Sequence, residues 1–382
     1  LRVNDKLLEG RLKELKEEKT SMLQGLMETL NCDTEEAVRK KLASNVQFAT
    51  ILKDLHIPVP MKTSPTTEKE TYALAKTDAG FIELQESDNP VLQELCAVRL
   101  GTKSTIEESR IQRFIDVGER HQGLLPIPLK YYGAHTGRWS GSDKVNFQNL
   151  PSRDAKKKAL KNAILPPEDH VILNVDSSQI EARILVWLAG QHDQVELYRQ
   201  GKDVYCDFAS RVYKKTINKR NKKERAVGKT CILGLGYGTG HVKLKGVLKL
   251  NAGIEVNEIE SKRLVKLYRE VNHEVVKLWE ECDRALRDIA SWPADRLPYY
   301  LGSGKCLLVE PKGIKLPNGL YITYPDLQLG SDGYEYKSRR GTISIWGGAV
   351  VENVVQALAR IVIGEQMIEI NEKHRPVLTV HD

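Results

Sequence analysis

Apolar residues recur at helical intervals through the first third of the chain. From Leu8 they fall at Leu12, Leu15, Leu23, Leu26 and Leu30 between Lys, Arg and Glu, the one-sided stripe of a long amphipathic helix. Two further helix starts are marked by Asp33 with Glu36 and by Ser44 with Gln47, each pair at capping-box spacing. Pro58, Pro60 and Pro65, set among Ser and Thr, make residues 58 to 70 a loop. Residues 1 to about 125 therefore read as mostly helical.

The pattern changes at Tyr131, where Gly, Ser, Asn and Pro become frequent through Pro151. The near-continuous apolar run Val171 to Val175 then predicts a buried strand. Residues 180 to 189 combine strong helix formers with an apolar stripe, and Gly190 stands where that helix would stop. A second helical block covers roughly 203 to 290, with Leu264, Leu267, Tyr268, Val271, Val275 and Leu278 on one face. Pro317-Asn318-Gly319 ahead of the run Leu320 to Tyr324 predicts a strand entered from a hairpin turn. Residues 349 to 370 predict another helix, and Val377 to Val380 a strand.

The chain has 382 residues, enough for two or three domains. With 41% apolar and 29% charged residues, the composition excludes disorder and collagen-like repeats. No apolar stretch approaches the roughly 20 residues of a membrane-spanning helix, and the first residues lack the apolar run of a secretory signal. The six cysteines form no close pair, so reduced thiols in a cytosolic compartment are expected rather than a zinc site or disulfide framework. The chain starts without Met and stops on His381-Asp382 directly after a strand-like run, as a piece of a longer protein would.

Charge sharpens the picture. The net charge is +7, yet residues 211 to 229 alone hold nine basic residues against the single acid Glu224, an excess of eight. That run leads into a patterned helix, in which Arg225, Lys229, Leu233 and Tyr237 are spaced by four and form one stripe roughly 18 Å long. Two cations, an apolar residue and an aromatic, in that order, suit a nucleoside triphosphate laid along the helix: phosphates on Arg225 and Lys229, sugar at Leu233, base at Tyr237. An amphipathic helix with a core tyrosine has the same pattern. Gly228-Lys229-Thr230 imitates the end of a P-loop, but position 223 is Lys where that motif needs Gly.

Asp176 ends the first predicted strand and Asp382 the last, positions from which carboxylates can hold Mg²⁺. Two such groups side by side could hold a metal pair for phosphoryl transfer, although either alone is more readily a helix cap or a turn residue. Arg138, in Thr136-Gly137-Arg138-Trp139-Ser140, and the later Asn146, Gln148 and Asn149 suit minor-groove hydrogen bonding on turn-rich backbone, as they suit an ordinary polar loop.

In order, these segments resemble the family A DNA polymerases, the polymerase I type of bacteria and many phages. Residues 136 to 140 with 146 to 149 look like the template-primer motif, Val175 to Arg183 like motif A, Arg225 to Gly238 like motif B, and Val380-His381-Asp382 like the start of motif C. The resemblance implies an α+β right-hand fold: a helical thumb (1–130), palm (131–190 and 301–382) with an antiparallel sheet, and helical fingers (191–300). It implies that Asp176 and Asp382 hold two Mg²⁺ and that Arg225 and Lys229 meet the triphosphate, with Lys229 a proton donor. Gln179, Leu233, Tyr237 and Tyr205 would line the nucleotide, Glu181 would gate against ribose, and Arg138, Asn146, Gln148, Asn149 and His381 would meet primer-template DNA. Ser177 and Tyr205 depart from the family's usual Tyr and His, and Leu233 replaces its usual Phe or Tyr, which points to altered sugar discrimination. A single-subunit RNA polymerase shares this logic, but Glu181 argues against it. A non-catalytic DNA-binding remnant is disfavoured by the retained carboxylates and cationic stripe.

Overall fold

The leucine stripe of the first third winds into a 21-residue helix, Asp5–Gly25, with Leu8, Leu12, Leu15 and Leu23 buried. Leu26 and Leu30 lie beyond its end but are buried as well, so the stripe outlasts the helix. This is a computed structural model; it describes residues 1–64, 69–87, 89–142, 146–150, 156, 158–339 and 341–380. The chain divides into two units, one from Leu1–Pro128 with Ser142–Asn174, the other from Leu129–Gly141 with Val175–Val380.

The first unit is helical, as expected. Helices Glu35–Ala43, Asn45–Asp54, Pro90–Lys103 and Ile106–Arg120 follow the first. Ser44 caps the third by accepting from the Gln47 amide, as its spacing predicts. The preceding helix is capped by Thr34, not Asp33. Thr34 has the extended backbone a cap requires and accepts from the Ala37 amide. The proline-rich stretch is not all loop: Met61–Thr63 pairs antiparallel with Glu70–Tyr72. The core gathers Leu26, Val38, Leu42, Phe48, Leu52, Leu74, Phe81 and Leu95. Arg99 is buried among them, its guanidinium 4.4 Å from the Phe48 ring centroid and donating to the Leu42 carbonyl and to Asn45 Oδ1.

The second unit is mixed. Ile180–Ala189 is helical and Gly190, at φ 74°, ends it in the left-handed conformation expected of a terminal glycine. Helices His192–Arg199, Val204–Tyr213, Lys222–Leu235, His241–Ala252, Glu258–Val271 and His273–Ala290 follow. The stripe from Leu264 to Leu278 belongs to two helices that break at Asn272, whose side chain donates to the Tyr268 carbonyl. Leu264, Tyr268, Val275 and Leu278 are buried all the same. A four-stranded antiparallel meander (Tyr299–Leu301, Leu307–Glu310, Gly313–Lys315, Tyr321–Ile322) contains the hairpin predicted around Pro317-Asn318-Gly319. A second antiparallel sheet joins Gln328–Gly330, Gly333–Ser338 and Gly341–Ile345.

Behind the meander runs the 25-residue helix Gly347–Asn371. By length and hydropathy this helix could cross a membrane, contrary to the expectation that no stretch would qualify. Over half of the qualifying window is buried, and Val350, Val351, Val354, Val355 and Leu358 pack on Leu185, Leu278, Leu286 and Val309. It is the spine of the core, rich in apolar residues because protein surrounds much of it.

Two predicted strands do not form. Val171, Leu173 and Val175 are 82%, 73% and 79% exposed and lie outside regular structure, as do residues 377 to 380. A strand exists only when its amide and carbonyl groups meet a neighbour, and apolar residues on both faces are stabilised only when both faces are covered. Among the described residues no strand pairs with either run. An antiparallel sheet carrying Asp176 is therefore absent from the described residues.

Candidate active site

Arg138 lies in the loop of a short hairpin, directly after a bend made at a glycine. The chain pairs Leu129–Lys130 with Ser140–Gly141, and Gly137 at φ 78° turns the intervening loop. A side chain at Gly137 would meet the Tyr132 ring at 2.6 Å as well as being strained. From this loop Arg138 Nη1 donates to Glu181 Oε1 at 3.1 Å. Glu181 sits in the first turn of Ile180–Ala189, where the exposed amides favour a carboxylate. Gln179, in the left-handed region at φ 58°, makes the corner from which that helix starts.

The phenol of Tyr237 joins this pair. Burial pushes its ionisation well above the ordinary range, the carboxylates of Glu181 and Glu352 push it the same way, and Arg138 opposes them. Tyr237 is therefore a neutral hydroxyl within electrostatic reach of two carboxylates and a guanidinium. It lies just past the helix Lys222–Leu235, which bears Arg225, Lys229 and Leu233. Close backbone approaches hold the turn around it. Trp279 Nε1 donates to the Gly236 carbonyl at 2.9 Å, and a side chain at Gly348 would fall 2.5 Å from the Tyr237 carbonyl oxygen. Gly236 sits at a close approach of its own, since a side chain there would fall 2.7 Å from Leu185 Cδ2.

One helix turn after another, the same helix carries the cations. Arg225 Nε donates to Asp203 Oδ2 at 2.9 Å, and its guanidinium lies 5.3 Å from the Tyr205 ring centroid. Asp203 also caps Val204–Tyr213, accepting from the Tyr205 and Cys206 amides. Lys229 is half-buried and Leu233 is 44% exposed, so the stripe faces outward at Leu233 as a ligand surface requires. Gly228 proves to be a packing residue, since any side chain there would strike the Tyr205 carbonyl oxygen at 2.1 Å.

Asp176 is exposed and precedes Ser177, whose hydroxyl donates to Gln366 Oε1 at 3.0 Å. A free carboxylate is the hard oxygen donor that Mg²⁺ takes, so the donor type fits that ion. Among the described residues no cluster of three or more His, Cys, Asp or Glu side chains gathers. His381 and Asp382 lie outside the described residues. Asn146 and Gln148 have local roles in the first unit: Asn146 accepts from the Gln148 amide at the start of the turn Phe147–Asn149, and Gln148 is buried. Of that trio only Asn149 is exposed.

The pattern-based reading missed Glu352, Gln356 and Arg360. Gln356 accepts from the Thr136 hydroxyl at 3.3 Å and donates to Glu352, while Arg360 Nε donates to the Gly137 carbonyl at 3.2 Å. Their signal was present: three polar residues spaced by four along a largely apolar stretch of helix. Asp203 was missed too, although an Asp directly ahead of a helical pattern is a cap signal.

The Arg138–Glu181 pair, the cationic helix Lys222–Leu235 and the two larger antiparallel sheets belong to one mixed α and β unit. The sequence profile of DNA polymerase family A matches residues 10–289, and the chain belongs to that family. It is 30% identical over 300 residues to the DNA polymerase of Bacillus phage SP02, covering 66% of this chain and 45% of that protein. It is 26% identical over 210 residues to the thermostable DNA polymerase I of Thermus aquaticus, covering 55% and 24% respectively. The chain thus spans less than half the length of these relatives. The solved POL domain of Pol1 from M. smegmatis, in complex with DNA primer-template and dNTP, superposes with a TM-score of 0.61 over 94% of this chain and 53% of that one, at 19% identity. That likeness establishes the α+β polymerase fold.

Proposed function

We propose that this chain is the polymerising core of a DNA-directed DNA polymerase, which adds deoxynucleotides to a primer 3′-OH on a DNA template in replication or repair. The observation that carries the reading is the ion pair of Arg138 with Glu181, from two separate segments, within electrostatic reach of Tyr237 at the end of the cationic helix. Residues 1–130 would act as thumb, 131–190 and 301–382 as palm, and 191–300 as fingers.

Asp176 and Asp382 would hold Mg²⁺. When bound, that ion pair supplies charge stabilisation to the attacking and leaving oxygens. Arg225 and Lys229 bind the triphosphate, and Lys229 supplies a proton to the departing pyrophosphate. Leu233, Gln179 and Tyr205 line the nucleotide, and Tyr237, held neutral, packs on the nascent pair without adding charge. Glu181 occupies the space a 2′-hydroxyl would need. Arg138 and His381 orient the primer end, and Asn149 adds a polar contact to the duplex.

The test is primer extension with Mg²⁺ by the protein that carries this chain. Asp176→Asn is expected to lower extension about a thousandfold, ~4 kcal/mol, while primer-template affinity stays within about threefold. Full activity in Asp176→Asn overturns the assignment. Faster incorporation of ribonucleotides than of deoxynucleotides by the unaltered protein would favour an RNA polymerase instead.

A further inference from the structure

We infer that Arg360 is a positioning residue that fixes the Arg138 loop and thereby sets how strictly a mismatched primer end is refused; this rests on the polymerase reading above. The Arg360 guanidinium lies 4.9 Å from the Trp139 ring centroid, 5.1 Å from Tyr131 and 5.5 Å from Tyr132. Its Nε donates to the Gly137 carbonyl. Arg138 is therefore gripped on both flanks, by the carbonyl of the residue before it and the ring of the residue after it. The rings also contact one another, with Tyr131 6.0 Å from Tyr132 and 6.1 Å from Trp139.

Among the described residues, aromatic faces and one carbonyl hold this half-buried cation, with no carboxylate in ion-pair contact. A guanidinium suits that role because it is flat, permanently charged and stacks on rings while still donating in its plane. Its backbone is equally fixed, since Arg360 stands on the buried spine of the core between Ala359 and Ile361. The loop is fastened at two further points: Thr136 bonds Gln356, and His135 bonds the Thr323 carbonyl at 2.7 Å while stacking on Tyr336. The loop is thus held against one helix and against residues of the two sheets, with Arg138 on its returning arm two residues before Ser140.

Rigidity matters because of what Arg138 would read. The minor-groove pattern of acceptors is nearly shared by all Watson–Crick pairs, and a mispair displaces it. A donor fixed in place bonds only a correctly placed acceptor, whereas a donor on a loose loop follows the displaced one. Positioning errors near 1 Å already cost about a hundredfold in rate.

The experiment measures extension from matched and from mismatched primer ends by the protein that carries this chain. Arg360→Met, which keeps the unbranched stem and loses the planar cation, is expected to lower the matched-to-mismatched ratio about tenfold. Arg360→Lys, a cation without the fork, should fall between it and the unaltered protein. Arg138→Gln should lower the ratio similarly, and the double variant should go no lower than Arg138→Gln alone, because both changes act through one donor. If Arg360→Met reduces matched and mismatched extension in proportion, the residue is merely structural and the inference is overturned. It is also overturned if the two changes multiply. If Arg138→Gln leaves both rates untouched, the minor-groove role of Arg138 fails and this inference fails with it; if Arg138→Gln acts and Arg360→Met does not, only this inference fails. Should Arg360→Met not fold, Trp139→Phe weakens the same clasp more gently and must lower the ratio in the same direction.

Discussion

Asp203 holds Arg225 and caps a helix with the same carboxylate, and the two roles can be separated. Oδ1 accepts from the Tyr205 and Cys206 amides at 3.1 Å each, and Oδ2 from Arg225 Nε at 2.9 Å. Asn caps helices as well as Asp does, so Asp203→Asn keeps the cap and removes the charge, whereas Asp203→Ala removes both. A hydrogen bond to a charged group contributes about 1.5 to 3 kcal/mol when buried. The Arg225 side chain is 31% exposed and that of Asp203 14%, so solvent screening reduces this to about 1 kcal/mol. The cap adds about 1 kcal/mol, which places Asp203→Asn near 1 and Asp203→Ala near 2 kcal/mol of lost stability.

The functional consequence follows from which nitrogen is held. A grip on Nε leaves the terminal nitrogens, the pair that binds phosphate bidentately, for the nucleotide. Asp203→Ala should therefore raise the nucleotide KM about tenfold, worth ~1.4 kcal/mol, with kcat within about twofold; Asp203→Asn should raise it only about threefold. Steady-state extension at varied dNTP measures both. If Asp203→Asn instead tightens nucleotide binding, the carboxylate competes with the triphosphate and the positioning argument is refuted. Acid unfolding gives an independent check. Burial alone would raise the Asp203 carboxyl, but the Arg225 hydrogen bond and the two amides outweigh it and hold it below its ordinary 3.8. A depressed carboxyl contributes stability that is present above about pH 4 and lost as pH falls through the folded value. The stability gap between the unaltered protein and Asp203→Asn, from urea midpoints, should therefore close below about pH 4.

Two other changes test separate parts of the chain. Leu233→Phe places an aromatic ring on the exposed face of the nucleotide helix, where it should change the selection of dideoxynucleotides over deoxynucleotides by about tenfold or alter the extension rate; no change in either would remove Leu233 from the sugar site. Arg99→Ala in the first unit would take the guanidinium donor from the Leu42 carbonyl, leave Asn45 Oδ1 with Lys103 alone and open a cavity beside Phe48, lowering stability by about 3 to 5 kcal/mol in urea unfolding. A loss below about 1 kcal/mol would mean that water or a rearranged side chain replaces the guanidinium.

Local patterns were readable where a single segment determines the outcome. The helix ending at Gly190, the cap at Ser44 and the turn at Pro317-Asn318-Gly319 each depend on residues a few positions apart, and each stands as its spacing predicts. The cap at Thr34 shows the resolution of such reading, because Asp33 and Thr34 are both good caps and only the backbone angles choose between them. Asp203 and Arg225 were harder, being 22 positions apart and brought together by the packing of two helices at Gly228. That glycine carries no chemistry of its own, yet no larger residue would let the helices meet.

Partnerships between distant segments are a different kind of information, and the two missing strands make the point. Val171 to Val175 has the composition of a buried strand, but composition describes a surface that a neighbour could cover, while hydrogen bonds across a ladder require the neighbour itself. The helix Gly347–Asn371 is the converse case. Its hydropathy alone suits a lipid environment, and the residues that assign it to a protein core are Glu352, Gln356 and Arg360, polar groups at a spacing of four that lipid would penalise. Each of them meets the Arg138 loop, Tyr237 or one another. Polar residues on a largely apolar helix thus mark what surrounds it, because a polar group withdrawn from water persists only where something fixed answers it. The same reasoning ties fold to chemistry in this unit: the groups that position Arg138 are the ones that keep its supporting helix in a protein interior.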